Sequence, residues 1–99
     1  MPLSNPAAFS KPSTVAASTV ASSATSVSLL AANLSRAGFS VWNASTAILY
    51  LDYGATATAS AYAVRIDPAG YFESPTAFTG QVSGIWSAAN GSALVREFS

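Results

Sequence analysis

The sequence predicts an all-β fold: a small antiparallel β-sandwich of about six to eight strands with an extended N-terminal arm. Three observations carry this expectation. Short apolar runs alternate with clusters of Gly, Pro, Asn, Asp and Ser, the punctuation of strands joined by turns. No window sustains a helical period of apolar residues, although Ala is frequent. The apolar fraction is 51% in a chain of 99 residues, enough for one modest core and one domain.

Residues 1–26 are Pro, Ser, Ala and Thr with few large apolar groups. Pro2, Pro6 and Pro12 fix φ and disfavour helix. For residues 1–12 two readings stay open, a disordered tail and an arm that orders on a neighbouring subunit. Residues 13–26 are expected to be ordered, because Val15, Val20 and Val27 are placed to pair with a sheet. The composition shifts near residue 27, which divides the chain into an arm, 1–26, and a sandwich, 27–99.

Residues 27–32 form the first apolar run of the sandwich, and 33–36 a turn. Residues 38–42 form the second, closed by Asn43-Ala44-Ser45. Residues 46–53 are the clearest strand, and residues 54–59 a loop of small residues. Residues 60–66 alternate again, with Tyr62, Val64 and Ile66 on one face. Asp67-Pro68-Ala69-Gly70 places Pro and Gly where a β-turn uses them. Residues 71–73 make a short strand before Pro75, and 81–86 a longer one. Asn90-Gly91 lies between that strand and residues 93–98, a hairpin signal.

Residues 46–53 carry large apolar groups on both faces, Leu49 and Leu51 on one, Ile48 and Tyr50 on the other. A sheet with one wet face alternates apolar with polar. Ile48 and Tyr50 are therefore either covered by the arm or another subunit, or partly exposed on a central strand. Trp42 and Trp86 are expected in the core or at a subunit interface. With Val15 and Val20 in the arm, these residues form the candidate interface set.

Charged residues make up only 8% of the chain, four basic and four acidic, against about 25% in an ordinary soluble domain. Lone soluble monomers carry a denser charged skin, so the composition suits a chain that works assembled with other copies. The basic residues Lys11, Arg36, Arg65 and Arg96 are scattered, which argues against nucleic acid as a partner. Ser and Thr interrupt residues 14–32, the one stretch long enough for a membrane span. A secretory signal is not expected either.

The absence of His and Cys removes the usual general base, the thiolate nucleophile and the commonest metal ligands. No phosphate loop, nucleophile elbow or zinc spacing occurs. Of the carboxylates, Asp67 is explained by its turn, Glu97 adjoins Arg96 and Glu73 precedes Pro75. No catalytic, cofactor-binding or metal-ligating residue is assigned, and an enzyme is not expected. The Asn-x-Ser triplets at Asn33, Asn43 and Asn90 read as turns. The aromatics, among them Trp42, Tyr50, Tyr53, Tyr62, Tyr71 and Trp86, are expected to pack cores and interfaces. A sugar-stacking platform is the competing reading.

Residues 33–98 resemble a family of short virion proteins of tailed bacteriophages, including phages of cyanobacteria. The resemblance lies in Ala32-Asn33 followed by Arg36 and Gly38, in Val41-Trp42-Asn43, and in residues 47–51 leading to Gly54-Ala55. It continues through Gly70-Tyr71-Phe72-Glu73 with Pro75, Phe78-Thr79-Gly80, Gly84-Ile85-Trp86 and Val95-Arg96-Glu97. It implies a capsid decoration, or cement, protein on the virion surface: a β-sandwich that forms a homo-oligomer, often a homotrimer, and binds the major capsid protein. A carbohydrate- or receptor-binding module of a phage tail or fibre is the alternative. Residues 1–26 lie outside the resemblance.

Overall fold

The computed structural model describes residues 12–99, so the two readings of the chain's start lie, for residues 1–11, outside the described residues. Eight strands form: β1 (Val15–Ala21), β2 (Val27–Leu30), β3 (Gly38–Ser45), β4 (Leu49–Tyr53), β5 (Val64–Ile66), β6 (Tyr71–Glu73), β7 (Val82–Trp86) and β8 (Gly91–Phe98). They build two four-stranded sheets, ordered β1-β8-β3-β6 and β2-β7-β4-β5. Every pairing is antiparallel. The sequence-based expectation of an all-β sandwich holds.

The topology is more specific than the sequence reading. Strands pair from the two ends of the chain inward: β1 with β8, β2 with β7, β3 with β6 and β4 with β5. The chain is in effect one long hairpin rolled on itself and closed by β3–β8 and β4–β7. This is the jelly-roll arrangement. Only the β4–β5 connection stays within a sheet; every other connection crosses between the two.

The core lies between the sheets. Phe39 and Val41 of β3, Ala93 and Val95 of β8, Leu49 and Leu51 of β4, Val82 and Trp86 of β7, Leu29 and Leu30 of β2, and Ile66 of β5 pack there. The two-residue period of a strand selects most of them: in β3, Phe39, Val41 and Asn43 are buried while Trp42 and Ala44 are exposed; in β2, where the register shifts between Ser28 and Leu30, the adjacent Leu29 and Leu30 are both buried.

Two buried polar side chains fasten the crossings. Asn43 is fully buried, and its Nδ2 donates to the carbonyls of Ala47, Ile66 and Asp67 at 2.8, 2.9 and 3.2 Å. Its Oδ1 accepts from Ser45 Oγ at 2.7 Å and from Trp86 Nε1 at 3.2 Å. One amide thus ties β3 to the β5–β6 turn and to the core tryptophan. Arg36 has no exposed side-chain surface, and its Nε donates to Glu97 Oε2 at 2.8 Å. Its Nη1 reaches the carbonyls of Phe78 and Gly80 at 2.9 and 2.8 Å, and its Nη2 that of Ala31. The guanidinium therefore clamps the β2–β3 loop, the β6–β7 loop and β8 together. Buried side-chain polar atoms all have a hydrogen-bond partner among the described residues, as a well-defined core requires.

Four expectations are corrected. The arm boundary at residue 26 is not a structural boundary, because β1 hydrogen-bonds along its whole length to β8 and Val20 packs against the core. Residues 43–45 do not close β3 but continue it, since their backbone pairs with β8 and the Asn43 amide is satisfied inside. Of residues 60–66 only Val64–Ile66 is strand, because β4 offers partners only to that part.

The fourth correction concerns Asn90-Gly91, which is not a hairpin between β7 and β8. These strands lie in different sheets, and the segment is the crossing. Gly91 enters the sheet between β1 and β3, paired with Ser45, while its carbonyl accepts from Ser22 N at 3.0 Å. Its φ is +124°, and a Cβ there would lie 2.6 Å from Ser45 Cα and 2.7 Å from the Ala44 carbonyl oxygen. Gly91→Ala is expected to cost about 1–3 kcal/mol, from strain at this backbone position, measured as a shift of the urea midpoint at unchanged slope.

Candidate functional site

The outer face of the β1-β8-β3-β6 sheet holds the strongest surface feature. Register places Thr19, Leu94, Trp42 and Tyr71 in one row across the four strands. The next row is Ala17, Arg96, Ser40 and Glu73. Residues opposite one another on neighbouring strands share a face, so the first row forms an apolar stripe and the second a polar one beside it. Trp42 is 45% exposed, Tyr71 55% and Leu94 39%. The Trp42 and Tyr71 rings are tilted 53° apart with centroids 6.4 Å from each other. Ser40, Trp42, Tyr71, Leu94 and Arg96 line a shallow open depression of about 210 Å³.

The charges beside the stripe are available. Among the described residues Arg96 Nη1 donates only to the carbonyl of its chain neighbour Val95, at 3.2 Å. The ion pairs among the described residues are Arg36–Glu97 and Arg65–Asp67, so Arg96 has no carboxylate partner there. Glu73 Oε2 accepts weakly from the Tyr71 hydroxyl at 3.4 Å. A cation and an anion thus flank two exposed rings, an arrangement suited to contact with a polypeptide surface or a polyhydroxylated ligand.

The opposite sheet presents a smaller apolar area. Ile48, Tyr50 and Ile85 are half-buried on its outer face, and the Tyr62 ring from the β4–β5 loop lies 4.7 Å from that of Tyr50. The chain's own loop therefore covers part of what β4 turns outward, and β1 covers none of it, because β1 lies at the edge of the other sheet. Tyr53 lies at the rim of the core against Phe39 and Phe78. Burial raises its phenol above the ordinary value, because the charged form would lose hydration there.

The candidate interface residues separate accordingly. Trp42 is exposed at the centre of the stripe, whereas Trp86, 2% exposed, is a core residue with no surface to offer a partner. Val15 is 57% exposed on the edge strand β1, and Val20 on the same strand packs against the core. Tyr50, opposite Ile85, lies on the other sheet, and Ile48 immediately precedes its strand. Leu94, Arg96 and Ser40 lie outside the expected interface set, and Tyr71 enters the sequence reading only among the aromatics of the sugar-stacking alternative. The alternation of Leu94 and Arg96 with buried Ala93 and Val95 is legible in the sequence, but what stands beside them depends on strand order.

Among the described residues no group of three His, Cys, Asp or Glu side chains is gathered where a metal ion would be held. Among the described residues no helix is long and apolar enough to cross a membrane. No known protein family, curated protein or solved structure matches the chain.

Proposed function

We propose that this chain is a capsid decoration protein of a tailed bacteriophage, a homo-oligomer that binds the assembled shell and stabilises it through protein contacts. The observation that carries the reading is the exposed Leu94–Trp42–Tyr71 stripe on a domain with only 8% charged residues. Aromatic residues with an Arg beside them and few other charges are what the centre of a protein interface uses. The jelly roll is a fold of viral shells and of lectins alike, so the fold by itself does not choose between them. The resemblance of residues 33–98 to short phage virion proteins favours the shell. Binding only to assembled shells would stabilise them by mass action, and many copies on one particle would add avidity.

The second reading is a carbohydrate-binding module of a tail or fibre. The adjacency of Trp42 and Tyr71 to Arg96 and Glu73 favours it, because sugars stack on rings and hydrogen-bond to charged groups beside them.

Shells assembled without this protein, from the genome that encodes it, provide the test. Full-length protein is expected to bind at a fixed number of copies per particle in cryo-electron density. Trp42→Ala with Tyr71→Ala is expected to reduce occupancy at least about tenfold, a loss of about 1.4 kcal/mol or more. A chain lacking residues 1–11 keeps β1 and reports separately on the terminal segment. Absence of binding to shells, with retention on a glycan surface that the double variant loses, would transfer the assignment to the carbohydrate reading.

A further inference from the structure

The two sheets have four edges, formed by β1, β6, β2 and β5. Proteins protect such edges by shortness, charge, Pro or bulges, because a free row of N–H and C=O groups templates pairing with another chain. Three edges are protected here. β6 has three residues, ends at Glu73 and is followed two residues later by Pro75. β5 has three residues with Arg65 at its centre, ion-paired to Asp67. β2 has four residues, and its register breaks between Ser28 and Leu30. β1 has none of these devices. Its seven residues, Val-Ala-Ala-Ser-Thr-Val-Ala, are uncharged, free of Pro, exposed at all but Val20, and paired with β8 in unbroken register.

The hydrogen-bond phase shows which groups of β1 have no partner among the described residues. Thr14 and Ser99 exchange both backbone bonds, Thr14 N to Ser99 O at 2.8 Å and Ser99 N to Thr14 O at 2.9 Å. Alternation along an antiparallel ladder then turns Ala16, Ser18 and Val20 toward β8 and leaves Val15, Ala17, Thr19 and Ala21 facing outward. Ser22 N, which donates to Gly91 O, falls in the same phase as the inward set.

We infer that β1 pairs with β1 of a second copy of this chain, antiparallel about a two-fold axis at Ser18. In that register Val15 faces Ala21 and Ala17 faces Thr19 across the axis, in both directions, so every outward residue meets another outward residue. About eight backbone hydrogen bonds form, two for each of these pairs. The facing side chains are Ala, Thr and Val, small enough to pair without repacking, and no like charges meet. Ala16 and Ser18, exposed on the opposite face of β1, gain cover from Val20 and Ser18 of the second copy. The product is one continuous sheet of eight strands carrying the Thr19–Leu94–Trp42–Tyr71 row twice. The contact is isologous and closes as a dimer. A homotrimer would need a different, heterologous surface. The pairing does not rest on the proposed function, and a trimer that decorates shells would overturn it while leaving that proposal intact.

The test is sedimentation of the full chain over a concentration series, with amide exchange read residue by residue. The wild-type protein is expected to approach twice 10.0 kDa with rising concentration. The amides of Ala17 and Thr19 should then be protected as well as those of Ala16 and Ser18. Ala17→Lys, which sets two cations against each other near the axis, and Ala17→Pro, which removes an outward N–H and no bond to β8, are expected to sediment as folded monomers. In both, protection at Thr19 is lost and that at Ser18 is kept. Ser18→Pro, which removes an inward N–H, should instead destabilise the fold, confirming the phase. A monomer up to about 1 mM, where even a contact of about 4 kcal/mol half-associates, would overturn the pairing. So would a trimer, or a dimer that persists in both Ala17 variants. A monomer with Ala17 and Thr19 protected would overturn it by showing that another segment of the same chain occupies the edge.

Discussion

Replacing Trp86 with Ala is expected to lower the stability of the domain by about 3–5 kcal/mol, whereas Trp42→Ala should cost less than about 1 kcal/mol. The two tryptophans are equivalent in kind and opposite in setting. Trp86 is buried to 2% exposure opposite Leu49, and its Nε1 donates at 3.2 Å to Asn43 Oδ1. Truncation leaves a large cavity between the sheets and removes a donor from a buried amide, which adds about 1 kcal/mol. Against a total of about 5–15 kcal/mol for a domain of ordinary stability, that is a large fraction. Trp42 stands on the outer face with nearly half its surface in water. Since the chain has only these two tryptophans, fluorescence separates them. Trp42→Ala leaves the emission of a buried indole, and Trp86→Ala, where it still folds, leaves that of an exposed one. Equal stability losses in urea for the two variants would contradict the assignment of Trp42 to the surface.

Arg36→Met is expected to cost about 3–5 kcal/mol, the range for removing one partner of a buried ion pair. The variant leaves the Glu97 carboxylate, whose side chain is 17% exposed, without its cation. It also strips the donor from the carbonyls of Phe78, Gly80 and Ala31. Because those carbonyls belong to the two loops that close one end of the sandwich, the change should appear locally as faster amide exchange in residues 74–81. Adding Glu97→Leu should recover part of the loss, since replacing both members of a buried pair is far less costly than breaking it. A double-mutant cycle measures the coupling. Additive losses from the two sites would show that the clamp is not energetically a unit.

The position of β1 changes how the N-terminal segment must be tested. Deleting residues 1–26 would remove an edge strand, expose the hydrogen-bonding edge of β8 and uncover the core beside Val20. Such a chain would report on folding rather than on docking. Removal of residues 1–11 keeps the sandwich whole and isolates the terminal segment.

Much of this molecule is determined by local pattern. The strands at Val27–Leu30, Leu49–Tyr53, Tyr71–Glu73 and Val82–Trp86, the Asp67–Gly70 turn and the two-faced character of β4 follow from period-two alternation and turn chemistry, which act between neighbours in sequence. The low charge is likewise a property of composition alone. Pairing between strands distant in sequence was decided only by the tertiary structure. Val15–Ala21 carries almost no large apolar side chain, so no pattern distinguishes an arm from an edge strand; β8 makes it an edge by offering hydrogen bonds. Asn90-Gly91 has the sequence of a hairpin and the role of a crossing, because β3 and β4 already occupy the partner positions that β8 and β7 would take from each other. Asn43 and Arg36 look like turn and surface residues until the carbonyls they satisfy, up to 44 positions away, are brought to them. The Trp42–Tyr71–Leu94 stripe has the same origin: each residue's outward direction is set by its own strand, but their adjacency is set by strand order, which no local signal encodes.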